Sequence, residues 1–292
     1  MSINMKCNRQ VVVHLYGGIG NQLFQYTFGE FIRNKYHEEV FYDISSFGVL
    51  ETFRDLQIDV IAKNIPEYKT GKFFFSRHTR FARRIYRFLF RLMPGNLYFE
   101  DILNESIFKR KNWKLAYFDG YWQDKFYPLW VKEHACETYL PFNSVPEILN
   151  PYIDFIKTNN VTSVHVRRGD YLNSANANVF GVCSLDYFKK ASDEIFKREN
   201  NCKFLVFSDD TEWVMKNMVL PGEMVVVNNA PIKPFWYIFL MSLCKNNIIS
   251  NSSFSWWGAF LNNNKEKTVV APKKWYKDKS NPKMYLDNYI VL

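Results

Sequence analysis

Two adjacent arginines follow a short apolar run in the stretch SVHVRRGDYL. Val164 and Val166 alternate as in a buried strand, and Arg167, Arg168 and Asp170 come directly after it. A guanidinium group presents a rigid fork of donors that matches two phosphate oxygens at once, which a lysine ammonium cannot do. The pattern predicts an anion site, and a structural ion pair between arginine and aspartate is the alternative for these residues taken alone.

Polar side chains also follow other predicted strands in the second half of the chain. Asp209 and Asp210 come directly after the run CKFLVFS, where carboxylates could accept hydrogen bonds from hydroxyl or ring N–H groups of a nucleoside. Ser252 and Ser253 stand where the strand NIIS gives way to a helix, so hydroxyls and free backbone N–H groups would converge on an anion. Helix capping is the alternative for each segment alone. Because parallel strands end at one sheet edge, the collection of such groups there favours a ligand site.

The first half has its own candidate in the motif GGIGNQ, at the end of its first strand. Gly18 and Gly20 would let the backbone approach a ligand closely, and Asn21 with Gln22 would place amides at a helix N-terminus. Leu23 occupies the third glycine position of the dinucleotide-binding fingerprint, so that fingerprint is not matched. A tight turn capped by Asn21 is the alternative.

The elements that would hold these groups alternate regularly in the second half. Apolar runs typical of strands, TSVHVR, CKFLVFS, MVVVN, NIIS and TVVAP, are separated by stretches with helical spacing. This order predicts an α/β fold with a doubly wound parallel sheet, whose ligands bind at the carboxyl ends of the strands. The first half opens with a strand, a glycine turn and a helix over residues 9–36, adds a strand in EEVFYDI, and is irregular from 47 to 112.

The length of 292 residues exceeds the usual single core and suggests two domains. Pro141, Pro146 and Pro151 mark the expected boundary. We expect an N-terminal domain over residues 1–145 and a C-terminal domain over residues 146–292, with the final residues a candidate for packing back on the first domain.

Composition indicates a packed globular protein. Hydrophobic residues make up 47% and aromatic residues 18% of the chain, more than a disordered chain carries. The five cysteines are odd in number and never in CxxC, which argues against a disulfide framework and a zinc site. The start MSINMKCNRQVVVHLYGG lacks the pattern of a signal peptide, and no stretch approaches the ~20 apolar residues of a membrane span. A cytoplasmic protein is therefore expected.

The net charge of +9 is concentrated in one segment. Eight lysines and arginines and no acidic residue lie between Glu67 and Glu100, so the rest of the chain is nearly neutral and a nucleic-acid partner is not expected. Within residues 77–92 an apolar stripe runs beside an arginine stripe, which predicts either peripheral contact with an anionic membrane or a domain helix with solvated arginines. Tyr86 and Phe90 widen the apolar face and favour the domain helix. The two stripes are Phe81, Ile85, Phe88 and Leu92, and Arg80, Arg84, Arg87 and Arg91.

Several motifs in both halves carry a family resemblance. They are GGIGNQLFQYTFG near the start, YFDGYWQ, HVRRGDY, FSDD followed by Trp213, and LMSLCKNNIISNSSFSWWGAFLN. Together and in this order they resemble the α-1,2-fucosyltransferase family, inverting enzymes that use GDP-L-fucose. The resemblance implies a GT-B-type fold, in which two Rossmann-like domains face a cleft, the first largely on the acceptor side and the second binding the donor.

The resemblance also implies roles for the candidate residues. Arg168 is expected on the donor β-phosphate with Arg167 in support, while His165 and Asp170 hold their loop. Further donor contacts implied by the resemblance are Asp209 and Asp210 for the guanosine portion, Ser252, Ser253 and the helix start at Phe254 for phosphate, and Gly18, Gly20 and Gln22, with Asn21 near the fucose.

The sequence departs from the family pattern at three positions. Tyr237 stands about where relatives often have an aspartate, Asn246 replaces a histidine, and Phe180 replaces another histidine. These substitutions leave the donor chemistry intact and bear instead on which residues contact the acceptor or act as the base.

The expected reaction sets the chemical demands on the site. When the bond from the sugar C1 to the β-phosphate breaks, negative charge develops on the departing GDP. Because no DxD pair stands at a convincing strand end, we expect Arg168 to neutralise this charge without a metal or cofactor. An inverting reaction also uses a base for the acceptor hydroxyl, for which Asp124 after GYWQ is the candidate.

We expect transfer of L-fucose from GDP-β-L-fucose to the 2-hydroxyl of a galactose-terminated acceptor. The alternatives are a related transferase that uses another nucleotide sugar, because an arginine clamp recognises the diphosphate and not the hexose, and a non-catalytic protein that binds nucleotides or glycans.

Overall fold

The computed structural model describes residues 9–47, 55–62, 65–68, 80–110, 112–135, 144–169, 171, 181–278 and 280–292. The chain divides into two compact units, Met1–Phe142 and Asn143–Leu292. Each unit has a parallel sheet with helices, so the predicted α/β class is confirmed. Two of the predicted positions, Asp170 and Phe180, lie outside the described residues.

The first unit is built on a parallel sheet whose strands lie in the order β2-β1-β4-β3 among the described residues. The apolar run in β1 is buried on both faces, which explains its near-continuous valines. Strands β3 and β4 fall in or beside the stretch predicted to be irregular and were not predicted. The elements of this unit are β1 Gln10–His14, α1 Ile19–Tyr36, β2 Val40–Asp43, α2 Arg80–Leu92, β3 Asn96–Glu100, β4 Leu115–Asp119 and α3 Phe126–His134, with 3-10 turns at Ile58–Val60 and Glu105–Lys109.

The second unit has a parallel sheet in the order β10-β9-β8-β5-β6-β7. Each strand predicted from the sequence is present, and the structure adds α4 and β10. The elements are the 3-10 turn Glu147–Leu149, α4 Asn150–Thr158, β5 Asn160–Val166, α5 Leu185–Arg198, β6 Cys202–Ser208, α6 Thr211–Asn217, β7 Met224–Val226, α7 Phe235–Leu243, β8 Asn246–Ile248, α8 Ser253–Leu261, β9 Val269–Ala271 and β10 Ile290–Val291.

Central strand β5 is buried over six of its seven residues. It lies between β8 and β6 and is covered on both faces. Its apolar residues join those of α5, β6 and α6 in one core that includes Val164, Phe188, Phe204 and Val214. A strand fixed in this way holds the residues that follow it in place.

None of the described helices combines the length and the apolar character that crossing a bilayer requires.

Candidate active site at the strand ends of the second unit

The register of β5 and β6 sets the position of the charged groups. The two strands pair in parallel from Asn160 opposite Cys202 to Val166 opposite Ser208. Arg167 and Arg168 follow one strand and Asp209 and Asp210 follow the other, so in-register pairing brings the two dipeptides side by side. The structure therefore unites two groups of residues that the sequence separates by about forty positions.

Asp209 holds the loop that carries both arginines. Its Oδ2 lies 2.9 Å from Nη1 of Arg167, and its Oδ1 accepts the backbone N–H of Arg168 at 2.9 Å. A Cβ on Gly169 would lie 2.9 Å from Oδ2 of Asp209, so only glycine allows this close approach. Both carboxylate oxygens of Asp209 are thus engaged by its own chain, which gives this residue a positioning role.

The Arg168 guanidinium lies over an aromatic ring. Its Cζ is 3.6 Å from the centroid of the Trp213 ring, and Nε makes a weak ion pair with Oδ2 of Asp210 at 3.4 Å. Among the described residues, nothing hydrogen-bonds to its Nη1 and Nη2 groups. The outer half of the fork is therefore available to an anion while the inner half is fixed.

Helix α6 supplies this aromatic platform. Asp210 is its N-cap, and Oδ1 accepts the backbone N–H of Trp213 at 3.1 Å. The backbone N–H of Asp210 in turn donates to Oγ of Ser208 at 2.9 Å. Asp210 therefore caps a helix and contacts Arg168 at the same time. Trp213 was not given this role from the sequence. The available signal was a tryptophan in the first turn of the helix that Asp210 caps.

His165 lies inside the sheet edge and is nearly fully buried. Its Nδ1 is 2.7 Å from Oγ of Ser250, and its ring lies 5.3 Å from that of Phe254. Burial, and then the nearby charge of Arg167, lowers the pKa of His165 to about 3. The imidazole is neutral near pH 7 and links β5 to the start of α8.

Helix α8 begins at the same edge. Ser252 is its N-cap, and its Oγ accepts the backbone N–H of Phe254 at 3.4 Å. Ser253 is the first helical residue and, like Phe254, is half-buried. A helix start and its two serines form an arrangement that favours an anion. These residues follow β8, and Arg167 and Arg168 follow β5, its neighbour in the sheet.

A buried asparagine that the sequence reasoning missed supports this edge. Asn251 donates from Nδ2 to the carbonyls of Gly181 at 2.7 Å and Trp275 at 3.0 Å, and its own carbonyl accepts the hydroxyl of Tyr171 at 2.9 Å. The Tyr171 ring in turn lies 5.8 Å from Cζ of Arg167. Asn251 thus links the arginine loop to the turn before α8.

Two of the departures from the family pattern have structural explanations. Asn246 is fully buried in β8, where Nδ2 donates to Oε1 of Glu199 at 3.2 Å and Oδ1 accepts the N–H of Thr268 at 2.8 Å. The Tyr237 hydroxyl accepts the backbone N–H of Ala230 at 2.7 Å and holds the loop after β7. Asn246 therefore stabilises the sheet and does not reach the strand-end edge.

The glycine motif of the first unit forms the turn into α1. Gly17 has a φ of 80° and Gly18 is the helix N-cap, while Gly20 is buried in the first turn. Gln22 is fully buried: Nε2 donates to the carbonyls of Gly17 at 2.8 Å and Asp55 at 3.0 Å, and Oε1 accepts the N–H of Gln57 at 2.9 Å. Both polar atoms of its side-chain amide are therefore hydrogen-bonded to backbone groups around the turn.

Asn21 and Asp124 lie at half-exposed positions of the first unit. Oδ1 of Asn21 accepts from Nε2 of Gln123 at 2.9 Å, which links α1 to the segment before α3. Oδ1 of Asp124 accepts the backbone N–H of Phe126 at 2.9 Å. The Asn21–Gln123 hydrogen bond places Asn21 close to the segment that carries Asp124.

The strand ends of the first unit also form a charged network, which the sequence reasoning did not predict. Oδ1 of Asp119 lies 3.0 Å from Nδ1 of His14, and Oδ2 accepts from the Tyr98 hydroxyl at 2.5 Å and from Nη2 of Arg87 at 2.7 Å. Nε2 of His14 contacts Oγ of Ser46. Burial would raise the pKa of Asp119, but hydrogen bonds from His14 and Tyr98 and the charge of Arg87 hold it below its usual range.

Over the part of the chain that the structure describes, no group of three or more His, Cys, Asp or Glu side chains is arranged to hold a metal ion.

Two units with parallel sheets give this chain the GT-B type of fold, which many glycosyltransferases share. The sequence model described as glycosyl transferase family 11 matches residues 84–292. The chain therefore belongs to glycosyl transferase family 11, and the resemblance to the α-1,2-fucosyltransferase family is confirmed.

Two relatives of known name are similar over most of the chain, and a third over about one third of it. The O-antigen biosynthesis glycosyltransferase WbnK of Escherichia coli is 32% identical over 95% of this chain and 99% of its own length. An α-1,2-colitosyltransferase of Escherichia coli is 31% identical over 91% of this chain and 92% of its own length. A galactoside α-(1,2)-fucosyltransferase 1 of Leontocebus fuscicollis is 32% identical over 34% of this chain and 28% of its own.

A solved structure supports the fold alone. A mutant of Arabidopsis thaliana FUT1 in complex with GDP aligns with a TM-score of 0.50 at 11% identity, covering 92% of this chain and 71% of that one.

Proposed function

We propose that this glycosyltransferase moves L-fucose from GDP-β-L-fucose to the 2-hydroxyl of a terminal β-galactoside with inversion, giving an α-1,2 linkage. The observation that carries the proposal is the Arg168 guanidinium, which Trp213 and Asp210 hold while its outer donors remain available. The names of the relatives support an α-1,2 transfer, and the fold is shared with FUT1, whose structure was solved in complex with GDP.

Arg168 answers the main electrostatic demand of this reaction. As the C1–O bond breaks, the β-phosphate takes the bonding electrons, and a fixed cation there stabilises the transition state more than the ground state. Arg167 is already paired with Asp209, so we propose that it supports the loop and attracts the diphosphate without contacting one particular phosphate. The start of α8, at Ser252, Ser253 and Phe254, would receive a second phosphate. A metal is not needed in this scheme.

The parts of the loop are held before any substrate arrives. Asp209 binds the Arg168 backbone and Trp213 binds its guanidinium, so little reorganisation accompanies donor binding. Preorganisation of this kind is what makes a charged group effective in catalysis. In this proposal the second unit binds the donor, with Asp209 and Asp210 next to its guanosine portion. The first unit binds the acceptor.

Asp124 is the proposed base for the acceptor hydroxyl, with Asn21 beside it on the sugar side. An Asp124→Asn variant keeps the oxygen that accepts the N–H of Phe126, so the start of α3 is retained while the basic carboxylate is lost. We expect kcat to fall about 10²-fold with unchanged GDP affinity, because general base catalysis contributes on the order of 10²–10⁴. Product formation and calorimetry measure the two quantities. Full activity in the Asp124→Asn variant would remove this residue from the mechanism.

Transfer of colitose is the second candidate, because the α-1,2-colitosyltransferase is 31% identical over 91% of the chain. Colitose differs from L-fucose only in lacking the 3-hydroxyl. Initial rates with GDP-L-fucose and GDP-colitose at equal concentration, with lactose and related galactosides as acceptors, would separate the two. Linkage analysis of the product then tests the α-1,2 bond. A higher rate with GDP-colitose would favour colitose as the transferred sugar.

Calorimetry with GDP, GMP and UDP in the presence of a chelator tests which nucleotide binds and whether its binding needs a metal. We expect tight binding of GDP, weaker binding of GMP because the β-phosphate is missing, and weak binding of UDP. A preference for UDP would indicate another nucleotide sugar, and loss of GDP binding with the chelator would contradict the arginine-based scheme. No binding of any nucleotide would indicate a non-catalytic glycan-binding protein.

We also propose that the protein works in the cytoplasm. The five cysteines are odd in number, widely spaced and never in CxxC, which suits a reducing compartment.

A further inference from the structure

Helix α2 of the first unit has an apolar stripe that is exposed. Phe88 and Leu92 are 62% and 63% exposed, and Ile85, Leu89 and Met93 are exposed beside them. The spacing of three and four residues puts the four that lie in the helix on one side of it, since each residue advances about 100° around the axis, and Met93 follows directly after the last helical residue. The helix, 13 residues long, is a continuous surface of about 20 Å.

The opposite face of α2 is fixed to the sheet. Phe90 is 3% exposed and joins Val12, Tyr98 and Tyr117 in a buried cluster, against which Tyr86 packs. Arg87, on the same side, donates to Asp119 at 2.7 Å. Phe90 and Tyr86 thus belong to the face that packs on the sheet, in keeping with the domain helix that these two residues favoured in the sequence. Because this face is anchored, α2 cannot turn the exposed stripe inward.

Positive charge accompanies the exposed stripe. Arg84 and Arg91 are exposed next to it on the same helix. The segment from Lys69 to Arg91 contains eight lysines and arginines, and no acidic residue occurs between Glu67 and Glu100. An exposed apolar stripe bordered by arginines is the combination that binds the interface of an anionic bilayer.

We propose that α2 docks the protein on an anionic lipid surface, with Phe88 and Leu92 inserted among the acyl chains and Arg84 and Arg91 near the headgroups. A symmetric contact with a second copy would place the same basic segment against itself, so charge repulsion disfavours that occupant. The stripe faces away from the sheet, so docking leaves the packing of the first unit intact. This inference goes beyond the proposed transfer reaction and does not depend on it.

Co-sedimentation of the full-length protein with vesicles tests the proposal. Vesicles of phosphatidylcholine with phosphatidylglycerol should bind the protein at low salt, and vesicles of phosphatidylcholine alone should not. The double variant F88Q/L92Q should weaken binding at least about tenfold, because two large apolar side chains no longer leave water. The double variant R84Q/R91Q should weaken it about fivefold per arginine and reduce its dependence on salt.

A matched control makes the same apolar-to-glutamine changes elsewhere. Met215 and Val219 of the second unit are 63% and 85% exposed, and the double variant M215Q/V219Q should bind vesicles like the parent protein. Circular dichroism and thermal unfolding show that each variant is folded, which is expected because all the altered side chains lie at the surface.

Three outcomes would overturn the proposal. The first is no binding of the parent protein to anionic vesicles at low salt. The second is equal binding by F88Q/L92Q, which would place the contact on another surface. The third is a concentration-dependent dimer in sedimentation velocity that F88Q/L92Q abolishes without any lipid binding, which would assign the stripe to a second copy of the chain.

Discussion

The two units place charged groups at equivalent positions, the carboxyl ends of central parallel strands, but use them differently. In the first unit, Asp119 at the end of β4 is buried and is bound by His14, Tyr98 and Arg87. In the second unit, Arg168 after β5 is partly exposed, and among the described residues its side chain has one weak ion pair and one aromatic contact. The first edge is a closed network, and the second is open.

The difference shows that charge at a strand end does not by itself indicate a ligand site. A buried charge whose hydrogen-bonding capacity is met inside the protein stabilises the fold, and breaking its pairs is costly. A charge held at its inner side and open at its outer side can meet a ligand without first losing a partner. On this basis the second unit, and not the first, carries the candidate site for the nucleotide.

The largest expected effect concerns the stability of the closed edge. An Asp119→Asn variant removes the buried charge that pairs with Arg87, and we expect the free energy of unfolding to fall by about 3 kcal/mol. The same change at the open edge, Asp209→Asn, should lower it by only about 1 kcal/mol, because Asp209 is partly hydrated. Urea unfolding measures both. Equal losses would contradict the distinction between a closed and an open edge.

Arg168→Ala should show the opposite profile, with a large loss of rate and a small loss of stability. We expect the transfer rate to fall about 10²–10³-fold, comparable to removing one preorganised donor at an oxyanion. Arg168→Lys should recover part of this loss because it keeps the charge but not the fork. Arg198→Ala, at an exposed ion pair on α5, is the control and should keep full activity. Full turnover without Arg168 would refute the arginine-based scheme.

The pH dependence of stability sharpens the comparison. His165 has a pKa lowered from 6.5 to about 3, so the unfolded chain binds more protons than the native one between these values. Stability should therefore fall as the pH decreases from about 6.5, by up to about 1.4 kcal/mol per pH unit, or roughly 2 kcal/mol at pH 5. For Asp119, whose pKa is lowered from 3.8, the loss should begin only below about pH 4.

Unfolding curves from pH 7 to pH 4 with a His165→Gln variant test this assignment. The variant should have a flatter profile than the parent protein, whereas His134→Gln, at an exposed position on α3, should leave the profile unchanged. A His165→Gln profile that runs parallel to that of the parent protein would show that another group causes the pH dependence.

The smallest expected effect comes from the aromatic platform of the open edge. Trp213→Leu removes the ring that lies 3.6 Å from Arg168, and we expect kcat to fall about fivefold, since such contacts contribute about 1 kcal/mol. Trp213→Phe keeps an aromatic face and should recover most of this loss. A merely structural role would lower stability in both variants without this difference in kcat, so kinetics and thermal unfolding are measured together.

Local pattern was a good guide in the second unit and a poorer one in the first. Strand β6 was predicted with its observed bounds, because CKFLVFS is a short apolar run between turn residues. Strands β3 and β4 were missed because their aromatic residues follow no clear period and become strands by pairing with each other and with β1. Pro151 was interpreted as part of a linker, but it lies in the first turn of α4, where proline is favoured.

The sequence by itself determined which groups end the strands: the arginine pair after β5, the aspartate pair after β6 and the serines before α8. It also determined that α2 is amphipathic, since such periods depend on neighbouring residues along the chain. Only the tertiary structure decided that β5 and β6 pair in register, so that Asp209 and Trp213 fix Arg168, and which face of α2 packs on the sheet. Those outcomes depend on contacts between residues far apart in sequence, which a local pattern does not specify.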